Sequence, residues 1–265
     1  MYEFTYHRPE TLDKAVALIG DGSDTKILSG GMTLLPTMKQ RLASPAHLVD
    51  MHGVHGLKGI HLEGSNLVIG AMTTHADVAN SDVVKQAIPG LAKLAGGIGD
   101  PHVRNRGTIG GSVANNDPAA DYPSAVLALG ATIVTNKRSI AADDFFQGMF
   151  STALEEGEVI TKISFPAGAK SAYAKFPNPA SLYAMAGVFV AHKGGDVRVA
   201  VTGAGANGVY RAHDMEAALK ANFAASALDA IKVDEAAMNG DIHGNAAYRA
   251  HLVKVMAKRA VAAVA

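Results

Sequence analysis

Arg104-Asn105-Arg106-Gly107-Thr108-Ile109-Gly110-Gly111-Ser112-Val113-Ala114-Asn115-Asn116-Asp117-Pro118-Ala119-Ala120-Asp121-Tyr122-Pro123 is the stretch on which the fold assignment turns. Near its centre, Gly110 and Gly111 form a diglycine flanked by the hydroxyls of Thr108 and Ser112. Ser29-Gly30-Gly31-Met32-Thr33 repeats that arrangement closer to the N terminus. Consecutive glycines let successive backbone N–H groups converge on one anion, with no Cβ to hold a phosphate off. The earlier segment follows a strand pattern and precedes a helical one, where such nests commonly form. Neither segment continues into the Gly-Lys-Ser/Thr of a P-loop. A diglycine is also an ordinary turn. Two of them beside hydroxyls favour an anion site, but spacing alone does not name the ligand.

Composition narrows the function classes. The chain has 265 residues and is 48% hydrophobic, enough for a substantial core in one large domain or two ordinary ones. Lys plus Arg equals Asp plus Glu, at 24 each, so no charge balance draws it to nucleic acid or a membrane surface. Cysteine is absent, which excludes disulfides, iron–sulfur ligation and a thiolate nucleophile within this chain. No apolar stretch approaches the roughly 20 residues of a membrane span, and no secretory leader is legible at Met1-Tyr2-Glu3-Phe4. A cytoplasmic location is the expectation.

The patterns predict an α+β chain. Thr11 caps a helix over Leu12–Ile19 that stops at Gly20. A strand at 26–28, a helix at 34–42 with Pro36 in its first turn, and a strand at 47–51 complete a β-α-β-α-β unit. Residues 60–71 alternate as a hairpin turning at Gly64-Ser65-Asn66. Thr74 and Asp77 mark a helix start, and a second helix runs from Val83 to Ala95. Residues 96–123 read as a long irregular segment, a length usually tied to function. A helix follows at 122–129, with strands at 131–135 and 159–165. Composition shifts at Pro166-Ala167-Gly168, dividing a 1–167 domain, itself split near 57 into 1–56 and 57–167, from a 168–265 domain. The latter shows strands at 172–176, 183–192 and 197–202 as an antiparallel meander, then helical patterns at 213–222, 224–231 and 245–263.

Identification comes from resemblance. Leu28-Ser29-Gly30-Gly31-Met32-Thr33-Leu34-Leu35-Pro36-Thr37-Met38-Lys39 is similar to the first FAD loop of the medium subunits of molybdenum hydroxylases, the xanthine dehydrogenase and aerobic carbon monoxide dehydrogenase family. Residues 104–123 resemble that family's long second FAD loop. Phe4, Tyr6, Arg8 and Pro9, then Gly70-Ala71-Met72-Thr73-Thr74, and finally Tyr248-Arg249-Ala250-His251-Leu252 extend the match along the whole chain.

The resemblance implies a two-subdomain FAD-binding domain of the vanillyl-alcohol oxidase/PCMH type, followed by a C-terminal antiparallel sheet with helices. It implies that Ile27, Leu28, Ser29, Gly30, Gly31, Met32, Thr33 and Leu34, with Thr108, Ile109, Gly110, Gly111 and Ser112, wrap the FAD pyrophosphate through backbone N–H groups. Asp121 would bond the ribityl or pyrophosphate region; from the residues alone it is equally an N-cap for the helix at Tyr122. Ile98 and Ile160 match apolar positions against the cofactor rings, and Lys175 matches a lysine near the flavin. Many relatives follow Lys-Phe with a basic and later an acidic residue. Here Pro177-Asn178-Pro179-Ala180-Ser181-Leu182 intervenes before Tyr183, which is a candidate either to cover the flavin or to sit buried in the sheet. That departure leaves the electron acceptor open among NAD, quinone and oxygen. The implied partners are a small iron–sulfur subunit and a large molybdopterin subunit, in a dimer of heterotrimers. The substrate and its hydroxylation belong to the latter, and this chain contributes no catalytic residue and no metal ligand. A stand-alone FAD oxidase is the competing reading.

Other motifs carry less. Gly203-Ala204-Gly205-Ala206-Asn207-Gly208 matches G-x-G-x-x-G after a strand, but a dinucleotide fingerprint needs a helix opening inside the motif and a parallel strand beyond it. Helical periodicity starts only near His213, so the segment reads as a tight connection. His52 and His55 lie in a glycine-rich loop without a nearby carboxylate and suggest no metal site. No G-x-S-x-G occurs. Arg104 and Arg106 would face the pyrophosphate, a partner or solvent.

Overall fold

The computed structural model describes residues 1–20 and 24–264. Its first unit comprises β1 (Thr5–His7), α1 (Leu12–Ile19), β2 (Thr25–Leu28), α2 (Leu34–Lys39) and β3 (His47–Asp50). The Thr11 hydroxyl accepts from the Lys14 N–H and Gly20 caps the other end of α1, as expected. β1 and β2 both pair parallel with β3, giving the order β1-β3-β2; parallel neighbours require crossovers, and α1 and α2 supply them. α2 ends three residues before the expected Leu42, because Arg41 adopts a left-handed φ of 62° that no helix can continue through.

The second unit opens with the expected hairpin, β4 (Ile60–Glu63) and β5 (Asn66–Gly70). Six short helices follow: α3 (His75–Asn80), α4 (Asp82–Ala87), α5 (Pro89–Gly96), α6 (Pro101–Arg106), α7 (Ile109–Asn115) and α8 (Tyr122–Ala128). Then come β6 (Thr132–Thr135), β7 (Ser139–Ala141), α9 (Ala142–Phe145), β8 (Phe146–Gly148), β9 (Ser151–Thr152) and β10 (Ile160–Pro166). The main sheet has the order β4-β5-β10-β6-β7. Two expectations need correction. The helix over 83–95 is two, because Pro89 lacks an N–H and forces Ile88 out of the helical region, at φ −148° and ψ 76°. The segment 96–123 is not irregular. Asp100 caps α6 with Pro101 at its first position, and Thr108 caps α7. Gly110 and Gly111, poor helix formers, hid α7 from propensity.

The third unit is β11 (Lys170–Pro177), β12 (Ala184–Lys193), β13 (Asp196–Thr202), β14 (Tyr210–Arg211), α10 (His213–Ala221) and α11 (Ala246–Val264). The sheet is the expected antiparallel meander, in order β11-β12-β13-β14. The helix expected over 224–231 reduces to a 3-10 turn at Ala225–Leu228. The segment 203–208 is a connection: β14 is antiparallel to β13, the Gly203 N–H donates to Pro118 O at 2.8 Å, and α10 starts only at His213. β12 is buried on both faces. Phe189 and Ala191, with Tyr173 and Ala200, join the core of the second unit built on Ile69, Leu91, Val113 and Tyr122. Val188 and Val190 face Val253, Met256 and Ala260 of α11. The central core therefore does not close at residue 167. A smaller cluster joins Ala15, Val49 and Met51 to Leu57, Met72 and Val159 of the second unit.

Two buried charged groups brace loops, one within the third unit and one within the second. Arg249 donates to Met185 O (2.7 Å), Gly203 O (2.8 Å) and Asp241 Oδ2 (2.6 Å). Glu158, 4% exposed, accepts from Arg138 Nε (3.0 Å) and Nη2 (3.1 Å), Thr135 Oγ1 (2.7 Å) and the Glu155 N–H (2.9 Å). These donors hold its pKa down, from 4.5 to about 2, with Arg138 the largest contributor. A carboxylate depressed in the folded state stabilises above its unfolded pKa, and that stability is lost as pH falls through the folded value. We predict that urea unfolding of the wild type weakens between pH 4.5 and about 2. Glu158→Gln will be less stable at pH 7 by about 2 kcal/mol and flatter across that window. A variant with the wild-type acid profile would exclude Glu158 as the source.

Candidate functional site

The two diglycine segments touch. Ser29–Thr33 links β2 to α2, and Thr108 caps α7 through its side chain. Ser29 Oγ lies 2.6 Å from Thr108 Oγ1 and 3.0 Å from Met72 Sδ. A Cβ on Gly30 would collide with Arg106 O and lie 2.6 Å from Gly107 Cα; one on Gly110 would lie 2.5 Å from Ala71 Cβ. These glycines are thus needed first for chain against chain. Gly31 is needed for its φ of +76°.

The amides divide unevenly between the two segments. Gly110 and Gly111 lie in the first turn of α7. Ile109 N–H donates to Thr73 O (3.0 Å), Gly110 N–H to Ala71 O (2.9 Å) and Ser112 N–H to Thr108 O (3.0 Å). Gly111 N–H donates to Thr108 Oγ1 at 3.1 Å. The N–H groups of Ser29 through Thr33, and that of Thr108, find no partner among the described residues. The open donors therefore concentrate in the first segment, and the second supplies its scaffold and hydroxyls.

A cleft of about 730 Å³ runs between the first and second units and up to the third. Its walls include Ile27, Ser29, Gly30, Gly31, Met32, Thr33 and Leu34, then Ile98, Thr108, Gly110, Gly111, Ser112, Asp121, Ile160 and Tyr183. Three expected site residues do not line it. Leu28 turns its side chain toward Gly31. Ile109 is fully buried in the core. Lys175 acts from behind: its Nζ lies 3.0 Å from Asp121 Oδ1 and donates to Gly97 O (2.7 Å) and Leu182 O (3.1 Å). Asp121, 4% exposed, also accepts from the Tyr173 hydroxyl at 2.6 Å. It makes no side-chain cap bond to the helix at Tyr122, so the N-cap reading fails. Burial raises its pKa, against the opposing pull of Lys175 and Tyr173.

Tyr183 precedes β12 rather than belonging to it, and is 47% exposed at the cleft. The alternative of sheet burial is excluded. Leu182 beside it takes a φ of +60°, and the Lys175 bond to its carbonyl anchors that turn. Arg104 does not point at the cleft's amides, since its guanidinium donates to Ile98 O (3.0 Å) and Gly99 O (2.8 Å). His52 does have a carboxylate neighbour after all: its Nδ1 is 2.6 Å from Asp50 Oδ1, while the Tyr6 hydroxyl donates to Oδ2. Strand pairing of β1 with β3 makes that trio, which loop composition did not reveal. No group of three metal-ligating side chains occurs among the described residues.

His75, which no local pattern singles out, also lines the cleft and is 5% exposed. The available signal was its place directly after the matched Gly70–Thr74 block. The donor set as a whole suits a dinucleotide: free amides and hydroxyls at the meeting of the glycine segments, with Ile98 and Ile160 as apolar wall.

Comparison with known proteins agrees. The family described as "FAD binding domain in molybdopterin dehydrogenase" matches residues 2–168. The chain is 40% identical to the carbon monoxide dehydrogenase medium chain of Hydrogenophaga pseudoflava, over 97% of this chain and 96% of that one. It is 34% identical to the nicotine 6-hydroxylase medium subunit of Paenarthrobacter nicotinovorans, over 97% and 95%. The solved quinoline 2-oxidoreductase of Pseudomonas putida 86 superimposes with a TM-score of 0.87 at 28% identity, covering 100% of this chain and 99% of the matched one. The chain belongs to the family of FAD-binding medium subunits of molybdenum hydroxylases.

Proposed function

We propose that this chain holds FAD along the cleft, pyrophosphate at the junction of Ser29–Thr33 with Thr108, and flavin toward Ile98, Ile160 and Tyr183. The observation that carries this is the run of unpartnered amides, Ser29 to Thr33, packed against the α7 cap. When bound, FAD stores two electrons and exchanges them singly or as a pair. The chain's own residues do the rest. The amides and the Ser112 hydroxyl bind phosphate oxygens; Ile98 and Ile160 exclude water from the ring; Tyr183 covers its open side. Lys175 fixes Asp121 and the Leu182 turn, and so sets where Tyr183 stands. Residues 1–167 form the cofactor domain and 168–265 the domain that carries Tyr183 to it.

In the assembly we infer, an iron–sulfur subunit delivers electrons and a molybdopterin subunit hydroxylates the substrate, in a cytoplasmic dimer of heterotrimers. The lack of any cysteine supports this, since clusters ligated by thiolates need another chain. Among the described residues no helix is long and apolar enough to cross a membrane. The stand-alone oxidase reading finds no support, because the full-length relatives are medium chains or subunits of larger enzymes.

Three outcomes are expected. The purified chain is yellow and releases FAD on denaturation; a colourless chain that takes up no added FAD would sink the assignment. Gly30→Ala, which forces the two segments apart, weakens FAD binding about tenfold or more in a fluorescence titration. Gly240→Ala, whose Cβ meets nothing closer than 3.7 Å, leaves it unchanged. Lys175→Met strands the buried Asp121 charge and costs about 3 kcal/mol in urea unfolding. Adding Asp121→Asn restores part of that loss; strictly additive losses would show that the pair is not coupled.

A further inference from the structure

His75 opens α3, immediately behind the Thr74 capping box. Its N–H donates to Gly107 O at 3.0 Å, one half of the bridge that joins Thr74 to Thr108. The backbone therefore fixes the ring beside the point where the glycine segments meet. Its Nε2 sits over Gly107, where a Cβ would lie 2.5 Å from it, and Gly107 in turn abuts Gly30. On the other side the ring packs against Tyr122, centroids 5.3 Å apart.

The two ring nitrogens have different surroundings. Nδ1 is sealed and has no partner among the described residues; Nε2 is not sealed and also has no partner in the chain. Burial, with the Arg104 charge adding to it, lowers the imidazole pKa to about 4. The ring is therefore neutral at physiological pH and carries a single N–H. A proton on Nδ1 would be a buried donor with nothing to accept it, which costs its full desolvation. A proton on Nε2 faces the cleft. The Nε2–H tautomer is the cheaper one.

We propose that His75 is a cofactor-binding residue whose Nε2–H donates to a pyrophosphate oxygen where Ser29–Thr33 meets Thr108. The proposal rests on FAD occupying the cleft. A core histidine with a purely structural role would spend both nitrogens inside the protein, and this one spends neither. Its neutrality also lets the cleft bind the pyrophosphate through dipoles, alongside the free amides, without burying an unpaired imidazolium in the empty protein.

The test titrates the full-length chain with FAD and, separately, with ADP, which carries the pyrophosphate without the flavin. His75→Leu keeps the ring's bulk but has no donor; His75→Gln keeps a donor near the Nε2 position. His75→Leu is expected to weaken both ligands about tenfold, the loss of one hydrogen bond to a charged acceptor. His75→Gln is expected to stay within about threefold of wild type on that scale. Wild-type affinity in His75→Leu, or equal losses in both variants, would overturn the role of His75. A wild type that binds no FAD would instead overturn the assignment of the cleft, and His75's role with it. Should His75→Leu fail to fold, the imidazole nitrogen spectrum of the wild type decides. An Nε2-protonated ring whose Nε2–H resonance moves on saturation with FAD supports the proposal. An Nδ1-protonated ring, or an unmoved resonance, overturns it.

Discussion

The contact between the Gly30 backbone and the Arg106–Gly107 backbone is the constraint on which the rest of the cleft depends. Two chain segments nearly 80 residues apart approach until Gly30 tolerates no Cβ against the Arg106–Gly107 backbone, and the Ser29–Thr108 hydroxyl pair locks them at 2.6 Å. Everything else follows from that approach. α7 is capped and pinned by Thr73 and Ala71, so its amides are spent, while the loop that lies on it keeps its own free. One segment is rigid and the other presents donors. Preorganised donors of this kind cost little to order when an anion arrives.

Charges buried around the cleft serve position more than stability. Lys175 joins Asp121, Gly97 and Leu182, tying the third unit to the second through one ammonium group. Glu158 and Arg138 hold the loop that leads into Val159 and Ile160. Arg249, away from the cleft wall, bridges the carbonyls of Met185 and Gly203 within the third unit. Buried ion pairs roughly break even in free energy. Losing either partner is expensive, and each pair allows only one arrangement of its loop.

The relatives act on carbon monoxide, nicotine and quinoline by name, yet share this architecture along its full length. The Pro177–Leu182 turn before Tyr183 lies at the exposed side of the cleft, held by the Lys175 bond to Leu182 O.

The sequence by itself determined the opening β-α-β-α-β unit, the β4–β5 hairpin, the meander, the need to place thiolate-ligated clusters in another chain and the segments that form the cleft, because these depend on local pattern, residue chemistry and a long, specific motif. It misjudged Pro89, which splits a helix, and 96–123, where Gly110 and Gly111 disguised α7 and the Asp100 cap with Pro101 starts α6, since caps override propensity there. Leu28, Ile109 and Lys175 lay in the right motifs but behind the wall rather than on it. Only the tertiary structure decided which diglycine keeps free amides, which carboxylate faces Lys175, and that His75 stands at their junction. Free amides, buried charges and unpaired ring nitrogens are properties of what surrounds a group, and those surroundings come from residues far away along the chain.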